Sequence, residues 1–210
     1  MPEDRYDLDR REVVPFVPVG VGRLLDVGCS SGRFGALLAE RDPDLELWGI
    51  DPALVTGAGA LGAYARTIDG SFPEDLPDGR FDCVVFNDVL EHVAAPWALL
   101  GGWPRWLAAD GVVVASIPNV RHLTVLYRLA VKGWWRYEDT GLLDRTHLRF
   151  FTRTSIVELF EGAGLRIERL EPLNLPRRGP LGRLRRLTGR RLVDVLALQY
   201  AVVARPVPPR

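Results

Sequence analysis

The chain has 210 residues, 47% of them hydrophobic, and its 27 Lys or Arg balance 27 Asp or Glu for a formal net charge of zero. This suits one domain with a real core and at most a modest insertion, and bulk charge draws it to neither nucleic acid nor a membrane. The polar start at 1–9 has no signal-peptide pattern, and the apolar runs fall well short of the roughly 20 residues of a membrane span, so a cytoplasmic protein is expected.

The first apolar strand is expected at Arg23–Val27, with Asp26 near its end. Gly28-Cys29-Ser30-Ser31-Gly32 follows, then a helix over Arg33–Arg41 with Phe34, Leu37 and Leu38 at helical spacing. A second strand is expected over 45–50, ending at Asp51-Pro52, then a helix of small residues over 53–63 and a weaker third strand over 64–68, before Asp69. The turn-rich segment 73–80 leads into the near-continuous apolar run 81–86, the pattern of a strand buried on both faces. Residues 97–107 read as a helix in spite of Pro104, Asp110-Gly111 as a turn, and 112–117 as a fifth strand stopped by Pro118-Asn119.

Beyond Asn119 the rhythm changes. An amphipathic helix is expected over 121–132, an irregular aromatic and charged stretch over 133–151, and a helix over 152–163 with Thr152 or Thr154 as N-cap. Strands at 165–170 and 197–205 flank an Arg-rich stretch at 177–191, and 206–210 reads as a disordered tail. Strands alternating with helices predict an α/β fold, a Rossmann-like doubly wound sheet. The two cysteines, Cys29 and Cys83, lack metal or disulfide spacing and are expected to be buried thiols.

In an open parallel sheet, ligands bind beyond the carboxyl ends of the strands. The informative residues stand there: Gly28–Gly32, Asp51, Asp69, Asn87–His92 and Pro118-Asn119. Gly28 and Gly32 allow a tight turn with close approach of a ligand, and the following helix N-terminus favours electron-rich groups. An acid about 20 residues on suits ribose hydroxyls, so an adenosine-type ligand is expected. The spacing fits neither G-x-G-x-x-G nor G-x-x-x-x-G-K-[ST].

With those residues in view, the sequence resembles the class I S-adenosylmethionine (SAM)-dependent methyltransferases. DVGCSSG at 26–32 is similar to their first motif, with Ser30 in place of the middle glycine. FDCVVFNDVLEHV at 81–93 and GWPRWLAADGVVVASIPN at 102–119 resemble their fourth- and fifth-strand blocks. GLLDRTHLRFFT at 141–152 resembles a signature of a bacterial small-molecule and glycan subgroup, methyltransferase type 23-like and similar to ubiquinone-pathway O-methyltransferases. The resemblance implies about seven strands, the last antiparallel, with a substrate cap at 120–151 between strands five and six. It implies SAM as cofactor, with Gly28, Cys29, Ser30 and Gly32 under its methionine end and Asp51, beside Pro52, on the ribose. Asp69 and Ser71 would lie beside adenine and Asn87 and Asp88 near the methionine and sulfonium, while Asp26 would organise the loop and is a candidate contact for the SAM amino group.

Methyl transfer to a hydroxyl calls for a base, and a histidine near its ordinary pKa of about 6.5 is a usable one. His92 and His147 are the candidates, though each is equally readable as structural, the first pinning a helix start and the second holding the cap; His122 reads as structural or substrate-lining. No metal is expected; the alternative is a set of Asp88, Glu91 and His92, whose spacing matches the Glu-x-x-Glu-His set of the ubiquinone-pathway enzymes. In the cap, Trp134 and Tyr137 are candidates to stack on a flat acceptor, or they close a satellite core. Arg145 and Arg149 are candidates to bind an anionic group, or they make surface ion pairs. The expected acceptor is a small molecule or glycan, a sugar or secondary metabolite methylated at oxygen. N-methylation of an amine or amino sugar is the first rival, and a non-catalytic SAM-binding partner protein the second. No nucleic-acid partner is expected, 177–191 is at most a peripheral membrane contact, and the oligomeric state is left open.

Overall fold

The computed structural model describes residues 9–55, 59–176 and 193–207. Seven strands form one sheet: β1 Arg23–Val27, β2 Glu46–Asp51, β3 Arg66–Asp69, β4 Phe81–Asn87, β5 Leu107–Pro118, β6 Leu165–Leu173 and β7 Gln199–Pro206. Their order is β3-β2-β1-β4-β5-β7-β6. Strands β1 to β5 pair in parallel, and β7 runs antiparallel to both β5 and β6, so the expected doubly wound sheet with an antiparallel last strand is what the chain forms.

The alternation of side chains along the strands splits the core into two layers. Leu25, Trp48, Val84, Phe86, Val113 and Ala115 pack on one face with helices α2 (Pro96–Gly101) and α4 (Arg153–Gly162), which contribute Leu100, Ile156, Leu159 and Phe160. Leu24, Leu47, Cys83, Val85 and Val114 pack on the other with helix α1 (Arg33–Arg41) and a 3-10 turn at Val14–Phe16. Cys29 and Cys83 are buried free thiols, pushed up in pKa by burial. Among the described residues no helix is long and apolar enough to cross a membrane.

Three expectations are corrected. The helix over 97–107 stops at Gly101, because Pro104 lacks the N–H that would continue it. A 3-10 turn, Trp103–Arg105, follows, and Leu107 already pairs with Phe81 in the sheet. The helix over 53–63 is reduced, within the described residues, to the 3-10 turn Gly59–Ala63 in a glycine-rich stretch. Pro206 belongs to β7, not to a tail, and the Val207 N–H donates to the Gly164 carbonyl. The segment 120–151, expected to be the cap, begins with helix α3, Leu123–Ala130, shorter than expected and N-capped by His122, whose ring accepts from the Thr124 N–H. His122 is therefore structural. Thr152 caps α4 in a reciprocal pair with Ser155.

One aromatic ring ties β1, β2 and α1 together. Tyr64 lies where side chains would stand at Gly32, Gly35 and Gly49, and a Cβ at Gly35 would overlap its ring and hydroxyl. Alanine is ordinarily the better helix residue by about 1 kcal/mol. Here overpacking outweighs it, so Gly35→Ala is expected to destabilise the fold by about 1–3 kcal/mol in urea denaturation. A neutral or stabilising substitution would show that Tyr64 is not wedged there.

Candidate functional site

The site stands at the carboxyl ends of β1, β2, β4 and β5, in two adjoining parts. The first is the glycine loop. Gly28 and Gly32 have φ of +77° and +84°, and Ser30, at +47°, takes the same left-handed region that a glycine would occupy more easily. A Cβ at Gly28 would come within 2.7 Å of Val89 Cγ2, so the loop after β4 closes on the glycine backbone. Asp51 accepts from the Ser30 N–H (2.8 Å) and from its own loop at the Ala53 N–H (2.7 Å), which holds the glycine loop against the end of β2. Asp69 pairs in register with Asp51 at the end of β3, and Ser71 just beyond donates its N–H to Asp75; Pro52, Asp69 and Ser71 are all exposed along this edge.

Asp26 does not reach that surface. It is buried and takes a 2.6 Å hydrogen bond from the Tyr64 hydroxyl. Its role is to support the loop from below, and the Cys29 side chain likewise turns into the core. Asn87 comes level with Gly28, since Phe86 pairs with Val27. Both polar atoms of its side-chain amide are buried with no hydrogen-bond partner. A buried, unsatisfied amide beside a glycine cradle fits a polar ligand that completes it, as the methionine end of SAM would.

The second part is a cavity of about 390 Å³ at the ends of β4, β5 and β7. Asp88, at φ +51°, forms its inner wall, where Ser116 Oγ (3.0 Å) and Gln199 Nε2 (2.9 Å) donate to Oδ1 and the Arg10 guanidinium pairs with Oδ2. Gln199 in turn accepts from Arg10 and from Asn174. Glu91, His92 and His147 also line the cavity, with Asp144 and Thr140–Leu142. The His92 and His147 rings meet edge to face at 4.8 Å. His92 Nδ1 lies 3.2 Å from the Thr146 carbonyl and His147 Nδ1 lies 3.3 Å from that of Leu142. Donation to those carbonyls puts the proton on Nδ1 and leaves Nε2 as the basic nitrogen of each ring.

Glu91 anchors the cap to the sheet, because its carbonyl accepts from both the Leu148 and the Arg149 N–H groups. Its carboxylate is fully buried with neither oxygen hydrogen-bonded, and burial pushes its pKa up to about 8. Glu91, His92 and His147 present ligand atoms within 4.8 Å of one another. The alternative metal set read from spacing is not brought together: the Asp88 carboxylate is taken up by Arg10, Ser116 and Gln199, and the cluster that could hold a cation joins Glu91 and His92 to His147, distant in sequence.

The other cap candidates do not join the site. Trp134 and Tyr137 are exposed and outside the cavity wall. Arg145 pairs with Asp139 at the surface, and Arg149 donates to the Ala94 carbonyl and lies over the Trp97 ring. Among the described residues the cavity wall has one guanidinium, Arg10, already paired with Asp88, against four carboxyl groups. Neither Arg145 nor Arg149 supplies a cationic centre for an anionic acceptor there. Arg10, Glu12, Asn174 and Gln199 went unread as site residues; Gln199, a lone polar residue leading an apolar strand, was the one visible signal. The stretch 177–191 lies outside the described residues.

Comparison with known proteins agrees with this architecture. The sequence profile of a family described as "Methyltransferase domain" matches residues 6–170. The chain is 31% identical over 153 residues to a malonyl-[acyl-carrier protein] O-methyltransferase of Geobacter sulfurreducens, covering 69% of this chain and 55% of that protein. It is 29% identical over 166 residues to a ubiquinone biosynthesis O-methyltransferase of Cereibacter sphaeroides, covering 76% and 65%. It thus spans between about half and two thirds of the length of these relatives. Among solved structures, the Burkholderia thailandensis 1,6-didemethyltoxoflavin-N1-methyltransferase, crystallised with its substrate and S-adenosylhomocysteine, superposes with a TM-score of 0.65 at 16% identity. That alignment covers 97% of this chain and 80% of that one.

The buried Asp26 makes stability depend on pH. Burial, the largest influence, and the Asp51 charge push its carboxyl up to about 7, against the pull of the Tyr64 hydrogen bond. From the ordinary value of about 4 up to about 7, the folded protein holds a proton that the unfolded chain has lost. Stability from this group is therefore present at low pH and falls as pH rises through that window. Asp26→Asn is expected to gain stability relative to the parent between pH 5 and pH 8 in urea denaturation, and an equal difference at both pH values would contradict the assignment.

Proposed function

Since the chain belongs to the family of class I SAM-dependent methyltransferases, we propose that it transfers the methyl group of SAM to a hydroxyl of a small polyhydroxylated acceptor, a sugar or a secondary metabolite. The observation that carries this reading is the pair of histidines, His92 and His147, meeting at 4.8 Å on the wall of a cavity that Asp88, at the end of β4, also lines. When bound, SAM supplies a methyl group already activated by its sulfonium. Gly28, Ser30 and Gly32 would let its methionine end approach the backbone, Asn87 would complete its polar contacts, and Asp51, with exposed Pro52, Asp69 and Ser71, would line the nucleoside side. Positioning then supplies much of the rate.

What remains for the chain is the acceptor's proton. With SAM bound, Nε2 of His92 or His147 would take that proton from the acceptor hydroxyl, whose oxygen receives the methyl group the cofactor supplies. Carboxyl groups around the cavity, with Glu91 neutral at pH 7, suit hydrogen bonding to hydroxyls and disfavour an anionic acceptor. An amine acceptor sheds its proton without such a base, and this is the difference the test uses.

A second reading is supported by the unpartnered Glu91 carboxylate: Glu91, His92 and His147 would together hold a divalent cation that acidifies the acceptor hydroxyl. In an assay of S-adenosylhomocysteine release over a panel of hydroxylated acceptors, His147→Ala and His92→Ala are expected to bind SAM normally by calorimetry while the more important base loses about 10²–10⁴-fold in kcat. Both variants keeping most activity would overturn hydroxyl transfer and favour an amine acceptor. Dialysis against a chelator separates base from metal: unchanged activity removes the second reading.

A further inference from the structure

The outer face of the cap carries a surface that the site does not use. Residues 129–141 are exposed without interruption. With Tyr127, they set Leu129, Val131, Trp134, Trp135 and Tyr137 in water, each between 38% and 69% exposed. A contiguous run of large apolar side chains marks an interaction surface. From Tyr127 to Tyr137 the chain has three cations, Arg128, Lys132 and Arg136, and no carboxylate. Arg128 is held by Glu138 at 2.7 Å. Lys132 and Arg136 have no ion-pair partner among the described residues and lie on the aromatic faces: Lys132 Nζ is 4.9 Å from the Trp134 ring centre and 5.5 Å from that of Tyr127, and the Arg136 guanidinium is 4.2 Å from Trp134.

We propose that this strip, Tyr127 to Tyr137, docks the protein on an anionic lipid surface. Trp and Tyr rings with apolar neighbours seek the boundary between headgroups and acyl chains, and Lys and Arg beside them reach the phosphates. The charge pattern separates this from a protein partner. The centre of a protein interface is depleted in charge and in lysine, whereas here unneutralised cations sit on the central ring. The strip also leads, through Glu138 and Asp139, into Thr140–Leu142, which wall the cavity, and Trp135 packs on Phe150, whose ring in turn meets His147. Docking therefore brings the cavity mouth to the lipid boundary, and the acceptor class narrows to amphiphiles with a hydroxylated head; this last step rests on the proposed function, while the docking itself does not.

The test is co-sedimentation of the full chain with phosphatidylcholine vesicles, with and without phosphatidylglycerol. Binding is expected only to the anionic vesicles, with a blue shift of tryptophan fluorescence and release by added salt. Lys132→Glu with Arg136→Glu, leaving 177–191 untouched, is expected to weaken it by more than about 25-fold, at roughly fivefold or more per charge. Trp134→Ala is expected to weaken it without moving SAM affinity, which also checks folding. No binding to anionic vesicles overturns the proposal, as does binding that survives the double charge reversal. A dimer in gel filtration that Trp134→Ala dissociates, without vesicle binding, overturns it in favour of an interface between two copies. None of these readouts uses methyl transfer, so they stand or fall apart from the assigned reaction.

Discussion

The glycine loop rests on a single ring. Tyr64 fills the space left by Gly32, Gly35 and Gly49, one in the loop, one in α1 and one in β2, and its hydroxyl reaches Asp26 in β1. Four elements are thereby located by one rigid side chain and one hydrogen bond in a dry interior, where such a bond is strong and its absence costly. The loop above has no freedom to sag, and the Asp51 carboxylate ties it from the other side through the Ser30 N–H. The glycines admit two neighbours, Val89 at Gly28 and the Tyr64 ring at Gly32, Gly35 and Gly49.

The cavity is organised by a different device. Two successive cap amides, at Leu148 and Arg149, hang from the carbonyl of Glu91. That brings His147 against His92, and it buries the Glu91 carboxylate between them and Arg10 without giving it a hydrogen-bond partner. At pH 7 that carboxyl is neutral, and a hydroxylated ligand would supply the hydrogen-bond partner it lacks. The Arg10 segment joins the wall through Asp88 and Gln199, so the cavity is assembled from chain regions nearly 190 residues apart.

The cap has two faces with different chemistry. Inward, it supplies His147, Asp144 and the wall at Thr140–Leu142; outward, it shows aromatic rings with cations lying on them. The aromatic residues that looked suited to stacking on an acceptor belong to the second face. Their composition alone does not separate the two uses, because tryptophan and tyrosine serve a buried pocket and a water boundary equally well.

The sequence by itself determined the sheet and the order of its edge. Hydrophobic runs with helical segments between them specify parallel strands, and the residues at their ends, Gly28, Asp51, Asn87 and Pro118, fall on one edge for that reason alone. It also carried His92, Glu91 and His147 as separate candidates, in two blocks about 55 residues apart. Which of them meet was decided by tertiary structure: the joining of His147 to Glu91 and His92 follows from the cap's anchorage to the Glu91 carbonyl, a backbone contact that no side-chain spacing encodes. The same holds for Arg10 and Gln199, which enter the site only because β7 inserts between β5 and β6 and the N-terminal segment crosses its end. Local periodicity reports which face of an element is buried; contacts between distant segments depend on how the faces are stacked, and that is settled by packing.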